Sequence, residues 1–200
     1  MSILDMTPMQ LDALREVGNI GAGNAATALS QLLNKKVDMT VPAVNIIPFE
    51  DVFAGDGTER IVIGVIVRVL GDTPGNILFV LEKDEAMQII KELTGEESEQ
   101  LSEMGYSVIC EIGNIIASSY MNSIARFTNL VITPSVPAVS YDMLGAILST
   151  TFIESGQFDD QVLDLETRFL RSNDKELGGH FYYIPMPGSL EKILNTLGVN

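Results

Sequence analysis

Two stretches of this 200-residue chain carry a glutamate and an asparagine at one spacing: Glu16 and Asn19 in "REVGNIGAG", Glu111 and Asn114 in "CEIGNIIAS". An asparagine amide is neutral near pH 7 and cannot serve as a general base. It can donate to one oxygen and accept from another, and so hold a water in line for attack. A glutamate can draw a lysine or arginine of a partner into an ion pair. Neither offers a metal cage or a nucleophile. The pair therefore suits a protein that lends a water-orienting group to a reaction whose other parts lie on a second protein. Phosphoryl hydrolysis has these needs, because its transition state asks for positioning and charge neutralisation more than covalent chemistry.

The elements that must position these residues come in two sets. Residues 12–42 align without a gap over 107–137, at an offset of 95, and eight of the 31 positions are identical. They are Glu16/Glu111, Gly18/Gly113, Asn19/Asn114, Ile20/Ile115, Ala22/Ala117, Asn34/Asn129, Val41/Val136 and Pro42/Pro137. The tails 75–95 and 180–198 echo each other more faintly, each reading as strand, turn and amphipathic helix closed by glycine. The chain is expected to be an internal duplication, one domain of two related halves at about 10–95 and 105–198.

Each half is expected to begin with a long helix, about 8–34 and 101–128, the first with Thr7 as N-cap and Pro8 in its first turn. A strand follows, about 37–47 and 131–137, then a strand pair, 60–70 with 75–82 and 160–172 with 179–185, then a closing helix, about 84–94 and 188–197. The segment "SYDMLGAILSTTFIES" is extra to the second half and reads as helical. Tight turns between strands imply an antiparallel sheet, so the fold class is α+β, with long helices packed on the sheet and pseudo-two-fold symmetry. At 100° per residue Leu11, Leu14, Gly18, Gly21, Ala25, Ala28, Leu29 and Leu32 share one face of the first helix. Asp12, Glu16 and Asn19 fall on the other side, within about 60° of each other. Ser107, Glu111 and Asn114 repeat that stripe, while Ile109, Ile112 and Ile116 form another. A mid-helix glycine costs roughly 1 kcal/mol against alanine, so Gly18 and Gly113 are expected to have a packing reason. Pro42 and Pro137 are expected to end or deflect the strand after each helix.

Other chemistry is thinly represented. "GAGNAA" (21–26) mimics a dinucleotide fingerprint, but that motif needs a strand before it, and here the glycines lie within a helix. Cys110 is the lone cysteine, which excludes an internal disulfide and a thiolate metal cluster, and suits a reducing cytoplasm. His180 is the lone histidine and would have to serve any Ser-His-Asp triad; "GGHFYYIPM" places it in or beside a strand instead. The net charge of −15 repels phosphate backbones and anionic lipid, so neither nucleic acid nor membrane is an expected partner, whereas a surface presenting Lys or Arg is. Much of this charge lies in "TGEESEQLSE" (94–103) and "ESGQFDDQVLDLE" (154–166), which read as solvated loops. The start shows no signal peptide, and the longest apolar run, Ile61–Val67, is too short to span a bilayer.

With Asp12, Glu16, Asn19 and Pro42 in one half, and Ser107, Glu111, Asn114 and Pro137 in the other, the chain resembles the CheC family of chemotaxis phosphatases, in the wider group with CheX and FliY. That family's pattern is Asp/Ser-x3-Glu-x2-Asn-x22-Pro, and both copies satisfy it. The resemblance implies a protein aspartyl-phosphate phosphatase whose substrate is the phosphorylated response regulator CheY. It implies that Asn19 and Asn114 enter the receiver's site and orient water, and that Glu16 and Glu111 pair with a receiver lysine. Asp12 and Ser107 would be supporting positions, and Pro42 and Pro137 structural ones. The Mg²⁺ would belong to the receiver, with no cofactor on this chain. The receptor deamidase CheD is implied as a second partner, and a monomer is expected because the two halves already supply the symmetry. The alternative is a non-catalytic binding module of the chemotaxis or flagellar switch apparatus; a nucleotide-binding use of "GNIGAG" is a weaker one.

Overall fold

A computed structural model of the chain describes residues 6–48, 57–98, 100–155, 161–171 and 176–199. The first long helix, α1 (Pro8–Leu33), starts at a capping box. The Thr7 hydroxyl accepts from the Gln10 N–H at 3.3 Å, and the Gln10 side chain accepts from the Thr7 N–H at 2.8 Å. The second long helix, α3 (Glu103–Thr128), starts at Ser102, whose hydroxyl accepts from the Gly105 N–H at 3.0 Å. Both helices stop at an asparagine in the left-handed region, Asn34 at φ 49° and Asn129 at φ 55°. The recurrence of Asn34 and Asn129 thus has a backbone cause: asparagine tolerates that conformation better than most residues.

The strands are β1 (Val37–Pro48), β2 (Ile61–Gly71), β3 (Gly75–Glu82), β4 (Ile132–Pro134), β5 (Ala138–Met143), β6 (Gln161–Arg171) and β7 (Glu176–Pro185). They form one antiparallel sheet in the order β1-β6-β7-β3-β2-β4, with β5 also on β2. The centre is the β3–β7 pair, where Phe79 stands opposite Phe181. Outward from it the halves exchange strands. β1 follows α1 but pairs with β6 of the second half, and β4 and β5 follow α3 but pair with β2 of the first.

Alternation along the strands sends side chains to two cores. Ile77, Phe79 and Leu81 face the layer made by α1, α3, α2 (Lys83–Thr94) and α5 (Ser189–Leu197), whereas Leu78 and Val80 face α4 (Leu144–Ser155). Strand β3 is buried on both faces for this reason. Leu14, Ile109, Ile112 and Ile116 bury the inner faces of the long helices, as their periodicity requires. Leu32 departs from that pattern and is exposed.

Three sequence expectations need correction. Residues 140–143 of the extra segment extend β5 and pair with β2, and the helix begins only at Leu144; the exposed edge of β2 takes a partner there that helical periodicity cannot reveal. The strand expected at 131–137 is shortened to β4, and a separate strand, β5, begins only at Ala138. Of the acidic stretch 154–166, residues 156–160 lie outside the described residues, and 161–166 run in β6 rather than in a loop.

Candidate functional site

The two helices present their polar stripes in the same way. Asp12 and Glu16 are exposed on α1 and Asn19 is half-buried; Ser107 and Glu111 are exposed on α3 and Asn114 is half-buried. Each stripe therefore rises from the sheet, with the amide nearest the protein and the carboxylate outermost. Among the described residues, neither Glu16 nor Glu111 has an ion-pair partner. Asp12 engages Arg15 at 2.9 Å across one turn of exposed helix, a pair worth little in stability. The Ser107 hydroxyl donates to the Glu103 carbonyl at 3.1 Å.

Glycine sets how closely each ridge sits on the sheet. A Cβ on Gly113 would lie 2.3 Å from Cγ1 of Val65 in β2, so only glycine lets α3 settle there. The matching Gly18 lies over Leu165 of β6 and Val41 of β1, with its nearest would-be contact at 3.3 Å. Each helix thus rests on a strand of the opposite half. Gly21, from the nucleotide-like "GAGNAA", is a packing glycine inside α1, where a Cβ would meet the Tyr120 backbone of α3 at 3.0 Å.

The prolines occupy matched irregularities. Between Thr40↔Arg168 and Ala43↔Glu166, β1 holds Val41 and Pro42 opposite a single residue of β6. Between Val69↔Pro134 and Ile66↔Ala138, the chain joining β4 to β5 holds three residues, among them Val136 and Pro137, opposite two of β2. Each is a one-residue bulge, and proline, having no N–H, fits where ladder pairing lapses.

There the copies diverge. The Val41 N–H donates to Oδ1 of Asn19 at 2.9 Å, and Nδ2 of Asn19 donates to the Val41 carbonyl at 3.2 Å. The amide thus satisfies both backbone groups that the bulge releases, and Val41 is 1% exposed. In the second copy Val136 is 88% exposed. Asn114 accepts only from the Ser118 hydroxyl, at 3.4 Å, and its NH₂ has no acceptor among the described residues. The Pro137 carbonyl lies instead 4.0 Å from Sγ of Cys110, one turn earlier on α3. Burial pushes the Cys110 thiol above its ordinary value, against a smaller lowering by Tyr106, so it is no ready thiolate. The role of Val41 as a backbone partner was not read from the sequence, although the recurrent Val-Pro pair was its visible trace.

Other polar groups stand apart from these ridges. His180 lies in β7 on the α4 face of the sheet, 3.8 Å from the buried Asp164 carboxylate. An interior cavity of about 40 Å³ behind the ridges is lined mainly by apolar side chains such as Leu14, Val17, Met121 and Phe181. No helix among the described residues is long and apolar enough to cross a membrane.

The model of the CheC-like family matches residues 9–46 and 104–141, two segments separated by the same offset of 95 (104 − 9). The chain is 38% identical over 199 residues to the CheY-P phosphatase CheC of Bacillus subtilis, covering 96% of this chain and 95% of that one. It is 32% identical over 139 residues to the flagellar motor switch phosphatase FliY of the same organism, covering 68% of this chain but only 36% of the longer FliY. Among solved structures, the crystal structure of Thermotoga maritima FliY superposes with a TM-score of 0.81 at 22% identity, covering 97% of this chain and 98% of that one, a likeness of fold. A doubled helix-ridge motif, a matched α+β fold and 38% identity over nearly the whole of a CheC protein converge on one conclusion: this chain belongs to the CheC-like family.

Proposed function

We propose that this protein is a phosphatase that speeds hydrolysis of the aspartyl phosphate on the CheY response regulator, and that its two ridges do the work. The observation that carries the proposal is that each ridge exposes a glutamate with no cation partner among the described residues, one turn from an asparagine on the same stripe. Identity to a CheY-P phosphatase over nearly the whole chain supports the substrate. The ridge docks across the receiver's phosphorylation site. Glu16 or Glu111 pairs with a receiver lysine and fixes the register, while Asn19 or Asn114 reaches inside and holds the attacking water in line with the phosphorus. Mg²⁺ belongs to the receiver and neutralises charge there. Asp12 and Ser107 are supporting positions one turn before the glutamates, and Pro42 and Pro137 sit at the bulges beneath the ridges.

The sites differ in readiness. Among the described residues both N–H groups of the Asn114 amide are open, whereas Asn19 has one N–H and one oxygen lone pair committed to Val41 and keeps only the other of each for a water. CheD as a regulatory partner, a monomeric state and a cytoplasmic setting complete the proposal. The test is the decay of phosphorylated receiver with substoichiometric protein. Replacing Asn19 and Asn114 together by Ala should lower the stimulated rate by on the order of 10²–10³-fold, as loss of a preorganised hydrogen-bonding group does. Stimulation at the parent rate would remove the assignment, and slowed or unchanged decay with the parent protein would mark a binding module instead.

A further inference from the structure

Each polar ridge ends in an exposed methionine. Met9 and Met104 are 69% and 56% exposed, and they stand at the same offset of 95 as the motif residues. Both occupy the second position of their helix, after Thr7–Pro8 and Ser102–Glu103. Counting from the methionine, the steps of three, four and three residues to Asp12 or Ser107, Glu16 or Glu111, and Asn19 or Asn114 keep all four side chains within about 80° of helical arc. One exposed methionine is ordinary on a protein surface. Two at equivalent places in halves that share so few residues need a cause. Packing does not supply it, because both side chains point to solvent, and the N-cap hydrogen bonds that order these first turns come from Thr7 and Ser102 instead.

We infer that Met9 and Met104 are docking residues: each rests on an apolar patch of the phosphorylated receiver just outside its phosphorylation site, while the polar end of the same ridge enters that site. This rests on the reading of the ridges given above. The methionine lies about 15 Å along the helix from the asparagine, too far to share one pocket but within one interface. A partner surface that spans the ridge meets the methionine and, about 10 Å further along the helix, the glutamate. A second copy of this chain would set carboxylate against carboxylate, and an anionic lipid surface would meet a protein of net charge −15. A partner with a basic group beside an apolar patch meets neither penalty. Methionine suits the task, since its unbranched, polarisable side chain conforms to the surface it meets. Around the second ridge Tyr106 and Val136, also exposed, widen the apolar surface.

The test is the double variant Met9→Gln with Met104→Gln, which keeps length and helix propensity. Binding to receiver carrying beryllium fluoride as a stable phosphoryl mimic is measured by calorimetry, beside kcat and KM for receiver dephosphorylation. The affinity should fall about tenfold and KM should rise to match, with kcat unchanged, as expected for lost burial of one such side chain per interface. Leu at both positions should restore the affinity. Met186→Gln, at an exposed methionine beyond the end of β7, should change nothing. Affinity within twofold of the parent, a fall in kcat at constant KM, or an equal effect of Met186→Gln would each overturn the inference. The calorimetry separates it from the catalytic proposal. A parent that binds the receiver without speeding its decay would sink the catalytic proposal alone, and the methionine variants would still report on docking. A parent that does not bind the receiver would sink both.

Discussion

Asn19 clasps the Val41 backbone through both ends of its amide, while its counterpart Asn114 leaves Val136 to solvent. One motif therefore has two mechanical states in one molecule. The clasp answers the bulge at Val41–Pro42, where two backbone groups of a buried residue have lost their ladder partners.

The clasp separates stability from activity. Asn19→Ala strands a donor and an acceptor beneath the surface, so unfolding free energy should drop by about 1–3 kcal/mol. Asn114→Ala should change it by less than about 0.5 kcal/mol, as surface changes do, yet remove the larger share of receiver dephosphorylation. Urea unfolding and single-site decay assays together test this. Equal destabilisation by both variants would show that the clasp carries no weight.

The glycines should rank by the space above them. Gly113→Ala drives a methyl group into Val65 and should cost about 2 kcal/mol. Gly18→Ala meets the movable end of Leu165 and should cost less than about 1 kcal/mol, after the propensity gain is counted. Gly23, inside α1 with open space above it, should stabilise by about 1 kcal/mol when changed to Ala. Denaturation midpoints out of that order would refute the packing account.

Glu16 and Glu111 should act through charge at long range. Glu16→Gln with Glu111→Gln should leave the unfolding midpoint in place, because no ion pair among the described residues is lost. It should lower kcat/KM for the receiver about tenfold and flatten its dependence on ionic strength. An unchanged salt slope would mean that these carboxylates meet no cation during encounter.

Asp72 should shape the acid limb of stability. Its carboxylate is held below its ordinary value, first by the hydrogen bond from Lys192 of α5 and next by the Val131 N–H, at 2.8 Å each. A carboxyl group with a lowered folded pKa adds stability that is present above its unfolded pKa and lost as the pH falls through the folded one. Asp72→Asn should therefore be less stable than the parent above about pH 4 and converge with it in stronger acid. A gap of the same size at about pH 7 and about pH 2.5 would contradict this.

The sequence by itself determined the doubling, both long helices and the stripes that carry Glu16–Asn19 and Glu111–Asn114, while the recurrence of Asn34 and Asn129 was visible but its left-handed cause was not. What was legible is local: helical periodicity and N-cap chemistry act within a few residues and leave their spacing in the chain. Only the tertiary structure decided that β1 joins β6 and that β4 and β5 join β2, that 140–143 is strand, and that Asn19 is engaged while Asn114 is open. Identical Asn and Val-Pro residues reach different ends because a side-chain amide bonds whichever backbone groups the sheet leaves unpaired nearby. That choice is made by strand register across the two halves, which no short stretch of sequence contains.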